Sequence, residues 1–508
     1  MRAAGRSGGR AVGDFIGDTC MRMVRSTCLG VGLAGLFTAL PPDRPTATAQ
    51  AVATPPSVGP APKLTVPAVQ RAVLPNGITL EVAEMHEVPL VQASLVITGG
   101  ARLDGDRPGL ATFVANMLDE GAGTRDAFEL AAEVEFLGAS LGTGASWDAT
   151  TVFVGAPKRT FEKAMALAAD VVLRPRFNVA DVKRQRDLRL SAILQQRDQP
   201  ASVANLVFAK AVYQEGHPYH QPIGGDSAST AGLDSATVRT FWRRAADPRR
   251  ARLIVAGDIT MAEARALARR LFGAWRAPAR PLAVPAAATI PVPPRPATRV
   301  ILVDKPGAAQ SVISIGAPGV DRSSPDYPAI TLMNTILGGS FSSRVNDVLR
   351  EQRGYTYGAG TGYTWRPLAG PFVASSAVRS NVTDSALAVF FSEFRRIRDS
   401  AVTDVELQRG RSYLTLGALG DFETTGQVAG QLASLATFGL PLSTIPKEMS
   451  AIERVTAADV QRAARRYLDP DHLTVVVVGD IASIRPGIEA LNLGPVTVQD
   501  YNGNEVLK

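Results

Sequence analysis

The chain has 508 residues, 45% hydrophobic and 20% charged, with a formal net charge of +7 and two cysteines. That length calls for two or more domains, and the composition is that of ordinary globular cores, which excludes a disordered or disulfide-stapled chain. Six arginines against three aspartates place about +3 of the charge in residues 1–51. The remainder has no basic run with interleaved aromatics, so nucleic acid is not an expected partner.

Residues 1–51 read as a leader. Arg22 and Arg25 precede a thirteen-residue apolar run, Cys28 to Leu40, and Ala47-Thr-Ala49 and Ala49-Gln-Ala51 offer small-residue cleavage sites. This is a secretory signal pattern, the alternative being an uncleaved membrane anchor, and a run of that length is too short to span a bilayer with ease. The expected location is the periplasm, with no stable membrane span after cleavage. A start at Met21 or Met23 instead of Met1 leaves the signal whole. Cys20 and Cys28 both fall in the leader, neither behind an L-x-x-C lipobox, so the mature chain is expected to hold no disulfide.

Residues 52–68, rich in Pro, Ala and Val, are expected to be a flexible lead-in. Gln70–Leu74 and Ile78–Ala83 are strand-like and flank the turn Pro75-Asn-Gly77, a hairpin signal, and Leu90–Thr98 is a further strand. A helix follows at Gly109–Leu118, and a second is predicted over Thr124–Leu137, opened by the cap-like Thr124-Arg-Asp-Ala. Two strands, Ser140–Ser146 and Ala149–Ala156, turn near Trp147-Asp148. Apolar spacing of three and four predicts a helix over Phe161–Leu173, and a long charged helix follows over Asp181–Gln196. His217-Pro-Tyr-His220 has the spacing of a metal pair, but Pro218 disfavours a regular helix there and no carboxylate stands at ligand spacing. We therefore read it, with the isolated His86 and His472, as structural or solvated.

An internal repeat organises the whole. Leu253-Ile-Val-Ala-Gly-Asp-Ile259 returns as Val475-Val-Val-Val-Gly-Asp-Ile481, and Val238…Asp247-Pro248 as Val460…Asp469-Pro470, each at an offset of 222. Asp181-Val182 and Glu406-Leu407 open similar charged helices at an offset of 225. Two copies of one α+β unit are implied, at 69–276 and 299–495, joined by a Pro/Ala-rich linker at 277–298 and followed by a polar tail at 496–508.

The helix Gly109-Leu-Ala-Thr-Phe-Val-Ala-Asn-Met-Leu118 resembles the metal-binding helix of the M16 (pitrilysin, processing-peptidase) family of zinc peptidases, written there G-L-A-H-F-L-E-H-M. Thr112 and Asn116 stand where the resemblance puts two histidines, and Ala115 where it puts the catalytic glutamate. A third ligand belongs in a distal helix matched by Gln185–Ile193, where Ser191 and Ala192 fill the paired-glutamate positions. Thr and Asn are poor zinc ligands and Ala cannot take a proton from metal-bound water, so this chain is expected to bind no zinc and to be inactive alone. The loop His217–Gly224 is similar to the family's H-P-Y-G-x-P-I-G.

In the second half, Ala308–Ile315 is a predicted strand and Tyr327–Leu337 a helix. Gly338-Gly-Ser-Phe-Ser-Ser-Arg-Val and its continuation to Tyr357 lack the Lys-Ser/Thr ending of a phosphate loop. They resemble the M16 segment G-G-x-x-S-S-R-L-x-x-x-L-R-x-x-x-G-x-x-Y. The resemblance makes Arg350 and Tyr357 the pair that hydrogen-bonds the scissile carbonyl oxygen as it gains charge. The alternative is that Arg350 pairs with a neighbouring carboxylate and Tyr357 packs in the core.

The resemblance implies two homologous α/β rolls forming a clamshell half. It also makes Leu141, Gly142, Thr143, Gly144, Ala145 and Ser146 the edge strand that receives an unfolded peptide by β-addition. With zinc ligands missing and the Arg–Tyr pair kept, the chain is expected to be the non-catalytic subunit of a heterodimeric metallopeptidase. Its partner would carry the intact H-x-x-E-H and the zinc. The competing expectation is a catalytically dead fold used as a peptide-binding or assembly scaffold. A self-sufficient hydrolase is disfavoured by four histidines in all, no mature cysteine and no G-x-S-x-G.

Overall fold

The long apolar runs picked out by the repeat are buried on both faces, which is why they do not alternate with polar residues. In the computed structural model, which describes residues 62–286, 290, 293 and 295–506, each becomes a central strand of a six-stranded sheet. The leader with both cysteines and the start of the lead-in lie outside the described residues.

In the first half, β1 (Val69–Val73), β2 (Thr79–Glu84), β3 (Leu90–Thr98), β4 (Ser140–Ala145), β5 (Ala149–Pro157) and β6 (Ala251–Gly257) lie in the order β1-β2-β6-β3-β5-β4. In the second, β7 (Arg299–Asp304), β8 (Gln310–Pro318), β9 (Ala359–Tyr363), β10 (Pro371–Arg379), β11 (Thr474–Gly479) and β12 (Val496–Gln499) lie in the order β12-β7-β11-β8-β10-β9. The repeat is explicit in the pairing: β6 runs parallel to β2 and antiparallel to β3, as β11 does to β7 and β8. The outer strand β12 corrects the expectation of a polar tail. Val496–Gln499 pairs parallel with Val300–Val303, so the stretch is ordered by a ladder to a strand almost two hundred residues away and not by its own composition.

One face of the first sheet is covered by helices of its own half, α1 (Leu110–Met117), α2 (Ala127–Phe136), α3 (Lys158–Leu173), α4 (Val179–Gln196), α6 (Ser227–Ala231), α7 (Ser235–Ala245) and α8 (Met261–Phe272), around Leu80, Val82, Leu95, Leu253 and Val255. The second sheet is covered likewise by α9 (Tyr327–Asn334), α10 (Arg344–Asn346), α11 (Thr383–Asp399), α12 (Asp404–Gly420), α14 (Thr444–Arg454), α15 (Ala457–Tyr467) and α16 (Ile481–Ala490).

The opposite faces are covered by exchange. Helix α5 (Pro200–Val212), from the first half, lays Val203, Val207 and Phe208 on Ile301, Val303, Val476 and Val478 of the second sheet. Helix α13 (Thr425–Phe438), from the second half, lays Val428, Leu432 and Leu435 on Ala83, Val96, Ile254 and Ala256 of the first.

Two local expectations change. The second helix starts at Ala127 under a capping box in which Asp126 and Glu129 exchange backbone bonds, so Asp126 and not Thr124 is the cap. The Tyr327 helix gives way after Asn334 to a wider π-type turn over Thr335–Gly339, and a second such turn spans Asp347–Gln352. Among the described residues no helix is long and apolar enough to cross a membrane.

Candidate functional site

The two helices that resemble metal-binding elements are held by backbone contacts. The Asp104 carboxylate accepts from the N–H of Gly109 (2.8 Å) and of Ala111 (2.7 Å) and so caps α1; burial pushes this carboxyl up to about 7 against the pull of those donors. Gly109 has φ 86°, and a Cβ there would lie 2.4 Å from the nitrogen of Gly225, so only glycine lets the Ile223–Gly225 loop approach. Thr112 uses its hydroxyl to donate to the Ile223 carbonyl (2.8 Å), and the Arg189 Nε of α4 donates to the Gly224 carbonyl next to it (3.0 Å). One loop thus clamps both helices.

These contacts fill the positions where zinc chemistry would sit. Ala115 is completely buried, and its carbonyl accepts from Thr143 of the edge strand (2.8 Å). Asn116 is exposed and Ala192 half-buried, and Ser191 spends its hydroxyl on the Asp187 carbonyl (3.0 Å). A committed hydroxyl, an amide and two methyls do not fit a divalent zinc ion, which needs His, Cys or carboxylate donors. Among the described residues no group of three His, Cys, Asp or Glu could hold a metal. Thr112→Val is expected to cost about 1 kcal/mol, the worth of one hydrogen bond to a part-buried carbonyl, read as a lower urea midpoint at unchanged slope.

Strand β4 lies at the sheet edge, paired with β5 alone, so its outer side presents unpaired backbone groups. Ser146 lies just past its end, where its hydroxyl accepts from the N–H of Asp148 and of Ala149 to close the turn. The second sheet ends on an equivalent strand, β9, and both carry Gly-Thr-Gly: Gly142-Thr143-Gly144 and Gly360-Thr361-Gly362. Thr361 donates to the Asn334 side chain (2.8 Å), as Thr143 does to Ala115, so each edge is fastened to the helix beneath it. This tripeptide repeat is legible in the sequence but was missed, because its flanking residues differ.

Arg350 lies on the π-type turn Asp347–Gln352. Its guanidinium pairs with Glu351 (2.5 Å) and sits 4.6 Å from the ring centre of Phe341, itself 69% exposed. Tyr355 packs on the second core, and Thr356 donates to the carbonyls of Ala377 (2.7 Å) and Gly358 (2.9 Å). Pinned on both sides in this way, Tyr357 projects outward, 95% exposed, and forms no hydrogen bond, ion pair or ring contact with any described residue. The core-packing alternative for Tyr357 is thus set aside, while the neighbouring-carboxylate alternative for Arg350 holds. Among the described residues no hydrogen bond, ion pair or ring contact joins Arg350 to Tyr357, or either of them to Thr112, Ala115 or Asn116.

Beneath this segment Arg344 grips Glu406 with two bonds (2.6 and 3.0 Å). Burial opposes ionisation of Glu406, but Arg344 and the Thr403 N–H prevail and hold its carboxyl down at about 2. A depressed carboxylate stabilises fully above its unfolded value and loses that contribution as pH falls from about 4.5 toward 2. Glu406→Gln is therefore expected to flatten the acid limb of a Tm-versus-pH curve across that window.

His217 is buried. Its Nδ1 accepts from the Tyr219 N–H (3.0 Å), and burial pushes it down to about 4, so it is neutral. His220 Nδ1 bonds the Tyr213 carbonyl (2.6 Å). Both serve the seam between the halves, where Tyr219 donates to Asp148 (2.9 Å) and Arg366 lies 4.2 Å from the Tyr219 ring centre.

Two sheet-and-helix rolls with an edge strand beside the helix of Thr112, Ala115 and Asn116 define a metallopeptidase-type clamshell whose ligand positions carry no metal-binding side chain. Residues 81–225 match the family model described as Insulinase (Peptidase family M16), and residues 232–414 match that described as Peptidase M16 inactive domain. The chain belongs to the M16 peptidase family. It is 25% identical over 417 residues to an uncharacterized zinc protease of Mycobacterium leprae, covering 82% of this chain and 92% of that protein. It is 23% identical over 434 residues to the mitochondrial-processing peptidase subunit beta of Lentinula edodes, covering 82% and 91%. Among solved structures, a peptidase M16 inactive domain from Pseudomonas fluorescens superposes with a TM-score of 0.74 at 27% identity, covering 81% of this chain and 98% of that one.

Proposed function

We propose that this chain is the non-catalytic subunit of a heterodimeric zinc peptidase of the periplasm, supplying Arg350 and Tyr357 to the scissile carbonyl of an unfolded peptide. A partner M16 subunit with an intact H-x-x-E-H would bring the zinc. The observation that carries this reading is Tyr357: a phenol held out on a pinned loop, 95% exposed and without a partner among the described residues, seven residues after a guanidinium that is part-exposed. A phenol with no structural employment is a donor free for a substrate, whereas all four metal positions lack ligands. The subunit name of the Lentinula relative supports a two-chain arrangement, and the leader supports export. The edge strand Leu141–Ser146 would take the peptide by β-addition.

One observation favours the scaffold reading: Arg350 is already engaged by Glu351 and Phe341, so it must let go of the carboxylate before it can serve a carbonyl. The test is a tagged pull-down of the mature chain from its native periplasm, with the eluate assayed on a quenched unstructured peptide with and without chelator. Co-elution of an H-x-x-E-H chain with chelator-sensitive cleavage supports the two-chain enzyme. Elution alone and inactive sinks it and leaves the scaffold.

A further inference from the structure

Below the loop that carries Phe341, a cavity of about 300 Å³ lies between that loop, α11 and α12, and Ser340, Ser342, Arg344, Arg396, Arg409 and Glu406 converge on it. We propose that this cavity is a binding site for a small tetrahedral oxyanion, inorganic phosphate or sulfate, held by the three arginines.

Arg344 is the anchor. It is 8% exposed, and its Nε and Nη2 are spent on Glu406, yet its Nη1 is buried with no partner. An unpaired buried N–H of a charged group is costly, and Glu406 cannot turn to relieve it. The Glu406 carboxylate takes the Thr403 N–H (2.9 Å) and hydroxyl (3.0 Å) on the same Oε2 that accepts from Arg344 Nη2, and its Oε1 accepts from Arg344 Nε, so both oxygens are held in place.

Three more donors line the same cavity. Arg409 is exposed and forms no hydrogen bond or ion pair with any described residue. Arg396 reaches Glu393 only at 3.4 Å, a weak bond that leaves its fork available. Ser342 is exposed with an uncommitted hydroxyl. The carboxylates of the lining are engaged: both oxygens of Glu406 accept bonds, and Asp347 accepts from Gln352 (2.7 Å).

The arrangement selects the ligand's shape. Guanidinium forks bind oxyanions through parallel N–H···O bonds. Here the arginines come from three separate elements, α10, α11 and α12, and line one cavity. A planar carboxylate offers two oxygens in one plane, whereas a tetrahedral ion offers four, one toward each donor. A volume near 300 Å³ is at the small end for ligand pockets and admits such an ion together with several waters. The glycine-rich turn contributes its serine and not a backbone cradle, so this is a side-chain site and not a phosphate loop. Asp347, at the cavity wall, starts the turn that bears Arg350, so an ion here would brace that turn. The site itself does not depend on the peptidase reading.

The test is calorimetric titration of the mature chain with sodium phosphate and, separately, sodium sulfate, at ionic strength held constant with sodium chloride. Binding near 1:1 is expected, weakened at least tenfold in Arg409→Gln and in Arg396→Gln. Arg409 reaches solvent and has no described side-chain partner, so Arg409→Gln should keep the parent Tm in chloride, whereas Arg396→Gln also removes the charge partner of the buried Glu393 and is titrated at a temperature where its own melting curve shows it folded. Arg243→Gln, an exposed arginine of the first half, should bind like the parent. No heat beyond the chloride blank, or affinity within threefold of the parent in both variants, overturns the site. Loss in one variant alone reduces it to a single surface arginine and also overturns it.

Discussion

Tyr357→Phe, in the assembled two-chain enzyme, is expected to lower kcat by about 10²- to 10³-fold with Tm unchanged, the cost typical of deleting one donor to a developing oxyanion. The stability half of that statement follows from the structure. The ring is 95% exposed and its hydroxyl bonds nothing, so removing one oxygen leaves the core and every hydrogen bond intact. Any loss of rate is then a loss of transition-state contact. A donor that acts only as charge develops lowers kcat and kcat/KM together, whereas a ground-state contact raises KM alone. Arg350→Ala is a coarser probe, because it also removes the stack on Phe341 and strands the Glu351 carboxylate. A rate within threefold of the parent in Tyr357→Phe would remove the phenol from the chemistry and turn the reading toward a scaffold.

Phe208→Ala and Leu432→Ala are expected to destabilise the chain by about 3–5 and about 2–5 kcal/mol, the usual costs of such core truncations. Both residues are nearly fully buried, and each sits on the helix that one half lends to the other. Phe208 packs so closely on the second sheet that a Cβ on Gly316 would lie 2.8 Å from its ring. Because each sheet is completed by a helix of the opposite half, we expect one urea transition and not two. Hydrogen exchange should quicken in β11 and β8 when Phe208 is cut, and in β3 and β6 when Leu432 is cut. Two separated transitions, or faster exchange confined to the mutated helix, would contradict that coupling.

The parts of this fold legible in the sequence were those encoded locally or by repetition. Leu253–Ile259 and Val475–Ile481 announced two like halves because a strand buried on both faces must be apolar throughout. The emptied metal helix was legible because Thr112, Ala115 and Asn116 sit in an otherwise matching frame, and losing a ligand needs no change of backbone. Long-range choices were not legible. The apolar face of α13 announces burial but not that its neighbour is the other half's sheet. Val496–Gln499 is a strand only because Val300–Val303 lies beside it. In Tyr355-Thr-Tyr357 the sequence offers two equal phenols. Which one enters the core is decided by the Thr356 bonds to Ala377 and Gly358, which no pattern within the segment records.

The exchanged helices also bear on the history of the chain. In the repeat, α5 follows α4 as α13 follows α12, so the two lent helices are the same element counted twice. A reciprocal loan of one element between two like units is the signature of an isologous, domain-swapped pair. The chain has the arrangement that two copies of a single roll, associated through that helix, would have if joined end to end. In such an arrangement the rolls can differ in their side chains while staying tied, as the ligand positions of the first and the exposed phenol of the second do. A protein of this build also folds late. The first sheet leaves the ribosome, and by our reading crosses the membrane, with Val96, Ile254 and Ala256 uncovered until residues 425–438 arrive. Through that interval the nascent chain carries a bare apolar face that a holdase must shield.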